Sequence, residues 1–143
     1  MIFESDSDEM TYDFARSLGE KAEAGQVYAL NGELGAGKTV FAKGFAEGLG
    51  VTERVNSPTY TILHSYLSGR LPFHHFDVYR IAEPEEMEET GYEDCFYAGG
   101  VSLVEWAEQI REILPENTIF VNISKAPEKG AGYRRIEIDD LGD

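Results

Sequence analysis

The segment Asn31–Val40, NGELGAGKTV, constrains this chain more than any other. It sets three glycines, a lysine and a threonine directly behind the apolar run Gln26–Leu30 and ahead of a stretch with helical periodicity. Gly32, four residues, then Gly37, Lys38 and Thr39 satisfy the phosphate-loop pattern. Glycines allow positive φ and let several backbone N–H groups converge on one point. Those groups, with the N-terminus of a helix starting near Lys38, would hold the phosphates of a nucleotide. Lys38 would reach the β- and γ-phosphates, and the Thr39 hydroxyl would ligate Mg²⁺. Four fixed positions arise by accident in roughly one chain in a few hundred of this length. Here the strand before and the helix after are also present.

The loop sits in a chain of the opposite sign. The 143 residues carry 27 acidic against 12 basic side chains, a net charge of −15. Such a surface repels phosphate backbones at long range, which disfavours broad nucleic-acid binding by this chain alone. An anionic ligand must then be held by local geometry. The acidity serves solubility in the plainest reading and a basic-faced partner in the sharper one. With 42% hydrophobic residues the chain can bury one core and is short for two, so a single domain over residues 1–143 is expected. The lone Cys95 cannot form an internal disulfide, and Met1 to Met10 is acidic with no basic-then-apolar leader, which points to a reducing cytoplasm. No apolar run approaches the roughly 20 residues that span a bilayer.

Ser7 followed by Asp8 and Glu9 reads as an N-cap and acidic first turn, and Met10, Phe14, Leu18 and Ala22 recur at helical spacing until Gly25. Gln26–Leu30 reads as a buried strand. Phe41, Phe45 and Leu49 again sit four apart, with Gly50 placed as a C-cap. Ser57–Leu67 and Leu71–Tyr79 read as a hairpin around Ser68, Gly69 and Arg70. Pro84 can open a short acidic helix that stops by Gly91. Val101–Trp106 reads as a buried strand leading into a helix near Ala107 to Leu114, and TIFVNIS and YRRIEID read as two more strands. The tail from Asp139 to Asp143 is expected to fray.

A phosphate loop that hydrolyses nucleotide also needs a carboxylate near the metal, usually at the end of a buried strand. VSLVE ends in Glu105 and HHFD ends in Asp77. If both face Thr39, one can hold Mg²⁺ while the other orients or deprotonates water. His74 and His75 are adjacent in an expected strand, so they point to opposite faces and take structural roles. Arg80 reads as a solvated or paired strand-end arginine, and Glu83–Asp94 as a solvated acidic helix and turn.

GELGAGKT, SPTYT, HFDVYR and VEW, in this order and at these separations, closely resemble the bacterial TsaE family of tRNA threonylcarbamoyladenosine biosynthesis proteins, also called YjeE, from about Asp8 to Ile138. The resemblance implies an α/β fold, a P-loop NTPase-like three-layer sandwich around a mostly parallel, mixed central sheet. It implies a small Mg²⁺-dependent ATPase that works with the TsaB and TsaD proteins. Together they place a threonylcarbamoyl group on the adenosine next to the anticodon of tRNAs reading codons that start with A. In the family the ATPase does not transfer the group; its ATP/ADP cycle supports multiple turnovers of the partner complex, which would carry the tRNA contacts. A docking surface for TsaB or TsaD on Glu83–Asp94 is one expectation.

Carried over by motif, Leu34, Gly35, Ala36, Gly37, Lys38 and Thr39 would wrap the phosphates, and Thr39 with Glu105 would hold Mg²⁺. Lys38, Asp77 and Glu105 form the implied catalytic set, Asp77 acting on the metal or the water. Thr59 resembles a switch-like position near the γ-phosphate, Trp106 the tryptophan beside the metal-binding glutamate. Glu9 and Arg134 match places where the family touches nucleotide. Glu33, Val40 and Ala107 depart from the usual aspartate, threonine and proline, and none of these removes a ligand. From another functional class, a small-molecule kinase shares the loop but usually closes an arginine-bearing lid over the phosphates. With seven arginines, this chain shows no arginine-rich lid segment.

Overall fold

The structure is a computed structural model and describes residues 1–33, 35–56 and 62–140. Helix α1 spans Asp8–Lys21, and the Ser7 hydroxyl caps it by accepting the Met10 N–H at 3.2 Å. Strand β2, Val27–Gly32, leads through the glycine loop into α2, Lys38–Gly48. Strands β3, Leu63–Tyr66, and β4, Phe73–Asp77, pair antiparallel as the hairpin expected from their β-forming runs. Strands β5, Val101–Glu105, β6, Ile119–Lys125, and β7, Arg134–Asp140, follow.

The sheet order is β1-β7-β6-β2-β5-β4-β3, with β1 formed by Ile2–Ser5. The four central strands β6, β2, β5 and β4 are mutually parallel, and β7 and β3 are antiparallel to their neighbours β6 and β4. Because β1 is antiparallel to β7, it runs with the central group, so five of the seven strands share one direction. The α/β fold with a mostly parallel, mixed sheet is therefore as expected. Alternation along β2 sends Tyr28 and Leu30 to one face and Val27 and Ala29 to the other. The first face packs on α1 and α2 through Phe41, Phe45 and Leu49. The second packs on helix α3, Tyr92–Tyr97, and two 3₁₀ segments through Phe96, Met87 and Ile110. Sheet and two helical layers make the three-layer sandwich.

Helices α1 and α2 cross at backbone contact. A Cβ on Gly48 would lie 2.1 Å from the Arg16 carbonyl oxygen, so only glycine permits this approach. The crossing fixes α2 against the sheet and thereby aims its N-terminus.

The structure departs from the sequence reading, or adds to it, in four places. Ile2–Ser5, given no assignment from the sequence, is a strand, because β7 supplies its backbone partners from Ile2↔Glu137 to Ser5↔Arg134. Asp139 and Asp140 do not fray; they pair with Phe120 and Ile119 at the end of β7. The segments Pro84–Thr90 and Ala107–Ile113 are 3₁₀ rather than α-helical, the second interrupted at Ile110, whose φ of −127° lies outside helical values. Helix α3 was not anticipated, since six residues are too few for helical periodicity to declare itself. Among the described residues no helix is long and apolar enough to cross a membrane.

Candidate functional site

The loop between β2 and α2 adopts the backbone that its glycines permit, with φ of +79° at Gly35 and +99° at Gly37. Gly37 is the N-cap of α2 and has no side chain to satisfy the first-turn N–H groups. The intrahelical ladder begins with Phe41 N–H to Gly37 O at 3.0 Å, so the positive end of the helix is presented at Lys38–Val40. Arg134 on β7 fixes the loop from behind. It donates from Nε to Ala36 O at 3.0 Å and from Nη2 to Gly35 O at 3.2 Å. In a trans peptide the N–H points opposite to the C=O, so the Gly37 N–H, which shares its plane with the Ala36 carbonyl, points away from the guanidinium. A second cation stands close, because a Cβ on Gly35 would meet Lys125 Nζ at 3.1 Å.

Lys38 opens α2 and is 7% exposed, and its Nζ has no hydrogen-bond partner among the described residues. The ammonium instead rests 3.7 Å from the ring centre of Trp106, a cation–π contact. Trp106 holds a left-handed backbone at φ +61°, the turn that carries the chain out of β5. Burial pushes the Lys38 pKa down, opposed by the charges of Glu105 and Asp77. A buried cation without an acceptor is a costly arrangement, and a bound anion would relieve it.

Asp77 and Glu105 end the parallel neighbours β4 and β5 and are register partners, so both side chains rise from the same face of the sheet. Strand β5 lies between β2 and β4, which brings this pair to the carboxyl edge beside the loop. Burial raises the Asp77 pKa; the Tyr79 N–H, donating to Oδ1 at 3.0 Å, opposes that shift and the Glu105 charge adds to it. Glu105, 4% exposed, meets His75 Nε2 through Oε2 at 2.6 Å. His74 lies on the other face, where its Nδ1 is 2.7 Å from the Ser65 hydroxyl, and burial lowers its pKa. The two adjacent histidines thus separate as alternation requires, but sequence reasoning missed the His75 contact. The available signal was its spacing of two from Asp77, which puts both on one face.

Gly35, Gly37, Lys38, Thr39, Asp77, Glu105, Trp106 and Arg134 line one cleft of about 460 Å³. Asp8 and Val40, not singled out from the sequence as ligands, line it too. Ala36 is buried beneath the loop. Glu9 lies on an adjoining hollow with Tyr12 and Asp13, which shares Asp8 and Val40 with the cleft. Arg80 is exposed and does not line the cleft. Leu34 and Thr59 lie outside the described residues.

Among the described residues no three His, Cys, Asp or Glu side chains stand close enough together to hold a metal ion by themselves. A hydroxyl at Thr39 and a carboxylate at Glu105 in one cleft are the donor set that suits Mg²⁺, which keeps several waters and takes its remaining oxygens from phosphate. The residues present therefore fit a magnesium-bearing nucleotide.

Known proteins resemble the chain in sequence and in fold. The family model described as "Threonylcarbamoyl adenosine biosynthesis protein TsaE" matches residues 5–136. The tRNA threonylcarbamoyladenosine biosynthesis protein TsaE of Bacillus subtilis (strain 168) is 48% identical over 134 residues, covering 94% of this chain and 82% of the relative. The protein of the same name from Nostoc sp. is 40% identical over 142 residues, covering 96% and 83%. The crystal structure of Bacillus subtilis YdiB superposes with a TM-score of 0.85 at 39% identity, covering 99% of this chain and 86% of that one. With the family model spanning nearly its whole length, the chain belongs to the TsaE family of threonylcarbamoyl adenosine biosynthesis proteins.

Proposed function

We propose that the chain binds and hydrolyses ATP with Mg²⁺ and that, in the cytoplasm with TsaB and TsaD, its nucleotide cycle supports threonylcarbamoyl modification of the adenosine next to the anticodon. The tRNAs concerned are those that read codons starting with A. One observation carries the ATP reading: a buried lysine ammonium without an acceptor among the described residues, at the N-terminus of α2 that Gly37 leaves without a side-chain cap, and facing two carboxylates across one cleft.

Lys38 and the first turn of α2 compensate the charge of the β- and γ-phosphates, where no reorganisation is needed at the moment of reaction. Thr39 and Glu105 hold the ion, and when bound, Mg²⁺ neutralises developing charge on the phosphate oxygens. Asp77 is the proton acceptor for the attacking water. Its raised pKa suits that task, and only Oδ1 is engaged by the Tyr79 N–H. Arg134 holds the loop in shape through its carbonyls. The net charge of −15 suits a protein whose partners, not itself, contact tRNA.

The test is phosphate release from ATP, measured with and without Mg²⁺, TsaB and TsaD. Mg²⁺-dependent release that rises in the presence of the partners is expected. A phosphorylated small acceptor would favour a kinase instead. No uptake of ATP or ADP by calorimetry, alone or with both partners, would reject the reading.

A further inference from the structure

We infer that His75 is a positioning residue for the metal-holding carboxylate: its Nε2–H fixes Glu105 Oε2 so that the other oxygen, Oε1, is left for the cleft. The inference rests on the nucleotide reading above and adds to it a residue outside the phosphate-loop pattern.

The geometry begins with strand register. His75 pairs with Leu103, two residues before Glu105 on β5, so His75 and Glu105 are diagonal neighbours on the face that also carries Asp77. Both are almost wholly buried, at 1% and 4% exposure, and Nε2 to Oε2 is 2.6 Å. A carboxylate accepts only, so the shared proton is on Nε2. The remaining nitrogen, Nδ1, is buried without a partner among the described residues. That agrees with the same tautomer, because a proton there would be a buried donor with nothing to receive it. The ring is held in plane by stacking on Phe73, with centroids 5.8 Å apart and planes 21° apart.

A buried N–H needs an acceptor, and the one His75 finds is a carboxylate of the cleft, so the bond that satisfies the ring also holds Glu105. Glutamate has three rotatable side-chain bonds, and freezing it costs conformational entropy on each binding event unless the protein has frozen it beforehand. A hydrogen bond from a buried, stacked ring does so. Partners of this kind typically contribute roughly tenfold to a hundredfold in metal affinity. Lys38 is not that donor, since among the described residues its Nζ makes no hydrogen bond.

The experiment measures ADP binding to the full chain by calorimetry with and without MgCl₂, and Mn²⁺ uptake in the presence of ADP by electron paramagnetic resonance. His75→Phe keeps a stacking ring and loses the donor; His75→Gln restores an N–H. His75→Phe should cut the Mg²⁺-dependent gain in ADP affinity by roughly tenfold or more and weaken Mn²⁺ uptake in parallel. Affinity for ADP without metal should stay within about twofold, the scale of an untouched phosphate loop. His75→Gln should recover most of the gain, and in a Glu105→Gln background His75→Phe should reduce it no further. If His75→Phe does not fold, His75→Met against His75→Gln makes the same comparison. An unchanged metal gain in the folded donor-less variant overturns the inference, as does an equal loss of ADP affinity with and without metal. If wild-type protein takes up no ADP under either condition, the nucleotide reading itself fails, a result distinct from both.

Discussion

The two ends of α2 are built on opposite principles. At the C-terminus the fold ties the loose carbonyls: Val51 N–H reaches Ala46 O at 3.1 Å and Gly50 N–H reaches Glu47 O at 2.9 Å, the paired bonds of a Schellman motif with Gly50 at φ +84°. The Leu49 carbonyl in turn receives the Arg70 N–H at 2.8 Å. At the N-terminus Gly37 offers no side-chain cap, Lys38 Nζ is buried without an acceptor among the described residues, and two carboxylates stand across the cleft. One end is satisfied by the fold, while the other keeps the Lys38 ammonium without a hydrogen-bond partner among the described residues. A helix of eleven residues can carry such an open end because its remaining length is locked to α1 and to the sheet.

Breaking the satisfied end should have the largest effect on folding. Gly48→Ala places a Cβ 2.1 Å from Arg16 O and 2.8 Å from Glu20 N, both backbone atoms that cannot swing aside. A loss of about 3 kcal/mol is expected in urea denaturation, at the upper end of ordinary overpacking. The open end should respond in the reverse sense. Lys38→Met keeps the apolar stem against Trp106 and removes the charge. Nucleotide affinity should fall about a hundredfold, while thermal and urea unfolding of the ligand-free protein should show a gain of about 1 kcal/mol, because a buried cation without an acceptor has been removed. A variant that loses both affinity and stability would show that Lys38 is as well satisfied as the other end, and the contrast would fail.

The same contrast marks what the sequence discloses. Local features were legible: Ser7 as a cap, the fourfold spacing of Phe41, Phe45 and Leu49, Gly50 as a terminator, and the loop from Gly35 to Thr39. The convergence of Asp77 and Glu105 was not, although each was a candidate. It depends on β5 lying between β2 and β4, a strand order decided by contacts distant in sequence. His75 illustrates the limit most clearly, since alternation separated it from His74 but could not say which face held the site. Strand β1 was illegible for a related reason: its backbone partners lie in β7, at the other end of the chain. Glu9 was rightly placed in the first turn of α1, but nothing local indicated that its neighbour Asp8, rather than Glu9, would line the cleft.

Two smaller effects sharpen the comparison further. Gly50→Ala forces a side chain into the left-handed region, a penalty of about 1 kcal/mol that urea denaturation should show equally at any pH, since the Schellman bonds involve no titrating group. Asp77→Asn, at the other end, should instead give a stability change that depends on pH. The folded protein raises the Asp77 pKa above 3.8, chiefly by burial, so the ionised carboxylate is less comfortable folded than unfolded. That penalty is full above the folded pKa, shrinks as pH falls through it, and vanishes below the unfolded value of 3.8, where both states are protonated. Asparagine never ionises, so the variant should be the more stable near neutral pH, by about 0.5 kcal/mol, with the advantage closing toward about pH 4. Urea midpoints of the two proteins across that range give the answer. A difference that stays constant, or widens in acid, would mean that Asp77 is held by a favourable partner in the folded state, and this end of the helix would then be tied as the other is.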